Sequence, residues 1–250
     1  MLAIFRRDLA AYFHSVTVWV LSGAYLFVAG LIFTLMVNGY AENSMMAGMN
    51  PGRGPSVMDE LVVPYMWWLG FLMIFILPLL TMRLLAEEKR TGTLELLFTY
   101  PVSELDIVLS KFAAALTVVA GMLATSALSL LYISNRVTLD WNLVLAGYGG
   151  LLLLGGSLVA IGLWASSLSA SQVVAACTTY GLAMMLWLMQ MLDQTLIAVR
   201  DKVGTLGIMT HLESFARGNL SSHDFVYYVA LTVLFLFLTV RVLDSRKWRM

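Results

Sequence analysis

The sequence predicts an all-α polytopic membrane protein with six transmembrane helices, and three observations carry that prediction. The 250 residues are 60 % hydrophobic and 12 % charged, with a mean hydropathy of +0.84, far from the averages of soluble domains. Six apolar runs, at about 17–37, 65–85, 112–134, 142–168, 171–192 and 225–242, each have the length of roughly 17–25 residues that a membrane-crossing helix needs. No Lys, Arg, Asp, Glu or His falls in the core of any of these runs.

The remaining composition narrows the class. Fifteen basic and fifteen acidic residues leave no net charge, which argues against a nucleic-acid partner. The single cysteine, Cys177, lies in an apolar run, so the chain forms no internal disulfide and no thiolate metal cluster.

Taken in order, residues 1–15 place Leu2, Phe5, Leu9, Tyr12 and Phe13 at helical spacing on one face, with Arg6, Arg7, Asp8 and His14 away from it. That pattern predicts an interfacial amphipathic helix. A secretory or twin-arginine signal competes with it, but the next apolar run is too long for a signal core and no small-residue cleavage site closes it. The stretch 38–64 contains GMNPGRGP and reads as a flexible connector or as a contact for an external partner. Tyr65, Trp67 and Trp68 open the second span as aromatic residues do at a membrane interface. Pro78 lies inside that span and predicts a kink, either a static packing feature or a hinge.

Between the second and third spans lies the only long, densely charged insert, Thr81 to Lys111, TMRLLAEEKRTGTLELLFTYPVSELDIVLSK. Its first part continues the second span as a helix through Glu87, Glu88, Lys89 and Arg90, until Thr91-Gly92-Thr93 favours a bend. Leu94, Leu96, Leu97, Phe98 and Tyr100 then give a short apolar-faced piece, interrupted only by Glu95 and Thr99, which Pro101 ends. Ser103 with Asp106 three residues on marks the start of another helix. The short apolar piece suits a peptide docking in a partner's groove and equally an amphipathic helix lying on the lipid surface.

In the fourth span Gly147, Gly149, Gly150, Gly155, Gly156 and Gly162 allow close helix packing, and secondarily a substrate path. Thr178, Thr179 and Tyr180 give the fifth span a polar spot, facing a pore or bonding a neighbouring helix. Residues 193–222 interleave apolar and charged positions and predict short outer helices, with Ser221 or Ser222 capping the last span. His211, Glu213, His223 and Asp224 match no compact metal-binding motif and are read as surface or hydrogen-bonding residues.

Basic residues set the orientation. With a cytoplasmic N-terminus, Arg6, Arg7, Arg83, Lys89, Arg90, Lys111, Arg241, Arg246, Lys247 and Arg249 lie inside, against Arg53, Arg136, Arg200, Lys202 and Arg217 outside. That asymmetry predicts both termini, and the charged insert, in the cytoplasm. Spans without ionisable residues argue against an ion-coupled carrier. All three histidines lie outside the spans, which argues against an intramembrane serine–histidine enzyme.

The stretch from Glu87 to Leu97, EEKRTGTLELL, followed by Tyr100-Pro101-Val102-Ser103 and by Lys111 before the next span, resembles the signature of ABC-2-type transporter permeases. It is most similar to the gliding-motility-associated permeases and more distantly to the permease of nitrous-oxide reductase maturation. The resemblance implies a type V exporter-like fold and a cytoplasmic coupling helix at 86–104. It assigns ATPase coupling to Glu87, Glu88, Lys89, Arg90, Gly92, Thr93, Leu94, Glu95, Leu96, Leu97 and Phe98, with Pro78 and Pro101 as hinge positions. It implies no catalytic, cofactor or metal site in this chain. ATP and Mg would be bound by a partner ATPase in two copies, since the sequence holds no G-x-x-x-x-G-K-[ST]. A second permease copy or a related permease, membrane lipid and a periplasmic auxiliary protein complete the implied partners, in a bacterial inner membrane. Two functions follow: a permease subunit that exports a substrate, or an anchoring subunit that transmits force within an envelope complex without moving a solute.

Overall fold

A chain that crosses lipid must satisfy its backbone N–H and C=O groups internally, which helices do within each segment. The computed structural model describes residues 2–48, 56–93, 103–195, 206–219 and 221–247, and among these it contains helices and turns but no strand. The helices are α1 (Leu2–His14), α2 (Val16–Gly48), α3 (Val63–Thr81), α4 (Ala86–Thr91), α5 (Glu104–Ser134), α6 (Trp141–Leu168), α7 (Gln172–Thr195), α8 (Ile208–Ala216) and α9 (Ser222–Lys247). A π-helical turn, Met58–Val62, leads directly into α3. Six helical stretches, built on α2, α3, α5, α6, α7 and α9, are long and apolar enough to cross a membrane.

Burial sorts these six into two groups. The most apolar stretches of α3, α5 and α6 are 61, 50 and 67 % buried, against 17, 22 and 17 % in α2, α7 and α9. The first three therefore form the centre. The other three flank it and turn side chains such as Phe27, Leu35, Val174, Met185, Val233 and Phe237 outward. Helix α6 touches α3, α5, α7, α8 and α9, and it can do so because glycines replace side chains at its closest approaches. Phe215 of α8 lies against Gly150, and Thr81 at the end of α3 lies against Gly162. Gly149, by contrast, faces open space.

Two expectations change. Helix α2 does not stop near Val37 but runs to Gly48, and the π-helical turn extends the second span backwards, so 38–48 and 57–64 of the expected connector are helical, while 49–55, with most of GMNPGRGP, lie outside the described residues. At ~1.5 Å per residue, 33 residues span about 50 Å and project well beyond a hydrocarbon core of ~30 Å. Residues 38–44, among them Asn38, Glu42, Asn43 and Ser44, extend a helix that is already nucleated, and Asn43 donates to the Glu60 carboxylate at 3.0 Å. The second span likewise does not continue unbroken through Arg90. Helix α3 passes through Pro78 and ends at Thr81, and a separate α4 begins at Ala86.

Several local expectations agree with the structure. Ser103 caps α5, accepting from the Asp106 N–H at 3.2 Å. Thr178 and Thr179 hydroxyls bond backbone carbonyls one turn earlier, while Tyr180 reaches the Phe75 carbonyl on α3, so this polar spot joins two helices. Within the stretch 193–222, α8 forms at Ile208–Ala216, and Leu196, Ile197, Val199, Arg200, Asp201, Lys202 and Val203 lie outside the described residues.

The packing of α6 sets a test. A Cβ at Gly162 would lie 2.6 Å from the Thr81 Cβ, and Thr81 is β-branched and held by a 2.8 Å bond to the Leu77 carbonyl. Gly162→Ala is expected to cost about 1–3 kcal/mol, whereas Gly149→Ala should be neutral or slightly stabilising. Thermal unfolding of both variants in detergent measures the contrast, and equal midpoints would overturn this packing account.

Candidate functional site

The break after α3 is held by one hydroxyl. A helix start leaves N–H groups without intrahelical acceptors. At α4 the Leu85 and Ala86 N–H groups both donate to Ser166 Oγ at 2.9 Å, and Ser166 Oγ donates to the Met82 carbonyl at 3.2 Å. Ser166 belongs to the last turn of α6, so the end of a central helix clamps the corner between α3 and α4. Lys89 reaches the adjacent Ser167 carbonyl. Helix α4 then closes at Gly92, whose φ of +72° is the left-handed conformation that glycine supplies at least cost.

Beside this corner four charged groups converge. Lys111 Nζ, on the first turns of α5 with its side chain 4 % exposed, lies 2.8 Å from Glu88 Oε1 and 3.4 Å from Asp8 Oδ2. Arg7 donates to Asp8 Oδ1 at 2.9 Å and to Glu88 Oε1 at 3.0 Å. The four charges cancel, which lets a lysine be buried at all. Burial pulls the Arg7 guanidinium down, but its bonds and charge attraction to Asp8, then Glu88, outweigh this and hold it above its ordinary value. Burial, and then the charge of Asp8, push the Tyr12 phenol well up, so it stays neutral. A cavity of about 280 Å³ opens beside the network, lined in part by Asp8, Tyr12, Arg83, Glu87, Glu88 and Lys111.

Asp8 therefore does not sit away from the buried face of α1, as its charge suggested. It is 8 % exposed, while Phe13 is 56 % exposed. Asp8 follows Phe5 by three residues and precedes Tyr12 by four, so it shares their side of the helix, a spacing that was readable. Lys111, present in the motif, acquires a role, while Arg7, Ser166 and Ser167 carry no sequence signal that singles them out.

The residues assigned to coupling separate by direction. Glu88 and Lys89 bond within the chain, Glu87 is half-buried, and Arg90, Gly92 and Thr93 are exposed. Leu94, Glu95, Leu96, Leu97, Phe98 and Pro101 lie outside the described residues. Among the described residues the arrangement is one of ion pairs and hydrogen bonds, joining α1, α4, α5 and α6 at one end of the bundle.

Residues 3–248 match the family model described as ABC-2 family transporter protein. None of the curated proteins matches the chain.

The network and the clamp predict distinct losses. Lys111→Met leaves two carboxylates facing each other in a largely buried setting and should cost about 3–5 kcal/mol, most of it recovered in the triple variant Asp8→Asn/Glu88→Gln/Lys111→Met. Arg7, half exposed, should cost under about 1 kcal/mol as Arg7→Ala. Ser166→Ala strands two N–H groups and should cost about 1–3 kcal/mol. Denaturation of the purified variants checks the order, and a triple variant no more stable than Lys111→Met would refute the network.

Proposed function

The chain belongs to the ABC-2 family of transporter proteins, and from that membership we propose that it is a permease subunit whose substrate export is driven by ATP hydrolysis on a separate subunit. The observation that carries this is the extent of the match, which runs from residue 3 to residue 248 and takes in all six candidate spans. The sequence has no phosphate-binding loop of the G-x-x-x-x-G-K-[ST] kind, so ATP and Mg would sit in the partner. Two ATPase copies and a second permease, the same chain or a related one, would complete the transporter.

The contact with the ATPase is proposed at 86–98. Arg90 and Thr93 are exposed there, and the apolar sequence of Leu94, Leu96, Leu97 and Phe98 suits a docking segment. Glu88 and Lys89 take a different part from direct contact. Bonded to Lys111 and to the Ser167 carbonyl, they pass a displacement of α4 to α5 and α6, and the neighbouring cavity gives α4 room to shift. Gly92 supplies the bend. The basic residues at this end, Arg7, Arg83, Lys89, Arg90 and Lys111, favour a cytoplasmic position for it in a bacterial inner membrane. Span cores free of charged residues suit a lipid-like or chain-like cargo, and the EEKRTGTLELL motif points towards the gliding-motility permeases.

Extracting the tagged chain gently from native membranes should bring down a stoichiometric Walker-motif ATPase. The double variant Leu96→Asp/Leu97→Asp should insert normally yet lose the partner and its transport-coupled ATP hydrolysis. A chain that purifies without any ATPase, or a double variant that keeps full coupling, would sink the proposal.

A further inference from the structure

At the opposite end of the bundle, α8 and the first turn of α9 bring together three groups whose sequence spacing gave no metal motif. His211 and Asp224 are 3 and 6 % exposed, with His211 Nδ1 2.5 Å from Asp224 Oδ1. His223 Nδ1 lies 3.8 Å from the same oxygen, and the two imidazole rings are 5.5 Å apart between centroids. One donor atom from each residue falls within 4.8 Å of the other two.

Packing holds the buried pair. The His211 ring stacks on Tyr227 at 4.0 Å between centroids. Tyr227 and the adjacent Tyr228 donate to the Leu206 and Ile208 carbonyls at 2.7 and 2.6 Å, fixing α9 against the start of α8. His223, its side chain 69 % exposed, leaves one side open to solvent.

We propose that His211, His223 and Asp224 form a binding site for a first-row divalent cation of the zinc type. Two imidazoles and one carboxylate suit such borderline ions, whereas Mg and Ca prefer all-oxygen shells. Three protein ligands leave a fourth position for water. Ligand atoms about 2.0–2.1 Å from one tetrahedral ion stand roughly 3.3 Å apart, so the His211–Asp224 contact must open slightly while the exposed His223 ring swings in. Loading replaces the hydrogen bond between them with two metal bonds: each ligand atom supplies a lone pair, and the proton on His211 Nδ1 passes to Nε2 of a neutral ring or, from an imidazolium, leaves to solvent. The ion would pin the N-terminus of α9 to α8, which is itself seated on α6 through Phe215 and Gly150.

The test uses the full chain in detergent, carried on a tag without histidine and stripped with chelator. Titration calorimetry with Zn²⁺ should give one ion per chain and a raised thermal midpoint, and Co²⁺ should give the visible bands of a four- or five-coordinate nitrogen–oxygen site. His223→Ala should weaken Zn²⁺ binding by about 100-fold or more and abolish the midpoint gain, with its metal-free midpoint as the folding control. Asp224→Asn should do the same. Absence of stoichiometric Zn²⁺ binding by the unaltered chain, or His223→Ala binding as it does, would overturn the proposal.

Discussion

A lysine ammonium almost sealed from water fixes one end of this molecule. Lys111 lies in the second turn of a central helix at the margin of an apolar bundle, and a buried charge there is tolerable only when opposite charges meet it. The carboxylates that meet it come from other helices, Asp8 from α1 and Glu88 from α4. That requirement turns the N-terminal helix from a peripheral amphipathic element into part of the core's boundary. It also rotates α1 so that Phe13 faces out while Asp8 faces in. Arg7 adds a fourth charge from the solvent side and balances the cluster.

The same demand for satisfied polar groups shapes the corner beside it. With only six residues, α4 is far below the length at which a helix persists alone. It holds its form because Ser166 accepts two N–H groups at its start, Gly92 closes its end, and Lys89 and Glu88 tie its sides to α6 and α5. Helix α6 can come close enough to offer Ser166 because Gly162, one turn earlier, leaves space for Thr81. Small residues in α6 and charged residues around α4 are thus parts of one device.

What the sequence disclosed follows from the range of the interactions. Apolar runs of membrane length, the Ser103–Asp106 cap and the bend at Gly92 depend on neighbours in the chain, and their local spacing was enough to find them. Asp8 was legible in principle, since Phe5 and Tyr12 bracket it on one face, but its charge argued for the opposite side. Ser166 was not legible: it bonds residues about eighty positions away, and nothing separates it from Ser167 or Ser169 as a residue type. His211 and Asp224 are thirteen residues apart, a spacing that becomes a contact only when α8 folds back on α9. The extension of α2 was hidden for another reason. Its helical course beyond Val37 comes from helix propagation and is supported by the Asn43–Glu60 bond, whereas hydropathy reports only the apolar length.

The distribution of burial bears on how such a bundle could transmit motion. Helices α3, α5 and α6 are close-packed, and close-packed interiors shift between discrete arrangements more readily than they deform. Helix α4 is attached to the ends of all three, through the corner after α3, Lys111 of α5 and Ser166 of α6. A force applied at α4 therefore meets the core at once, and the polar clamp, rather than the six-residue helix, sets its stiffness. In the proposed transporter, weakening Ser166 or Lys111 would separate ATP hydrolysis from movement of the spans without altering the surface that meets the ATPase. Helices α2, α7 and α9 turn apolar side chains outward, and in the proposed transporter those faces would meet lipid or the second permease.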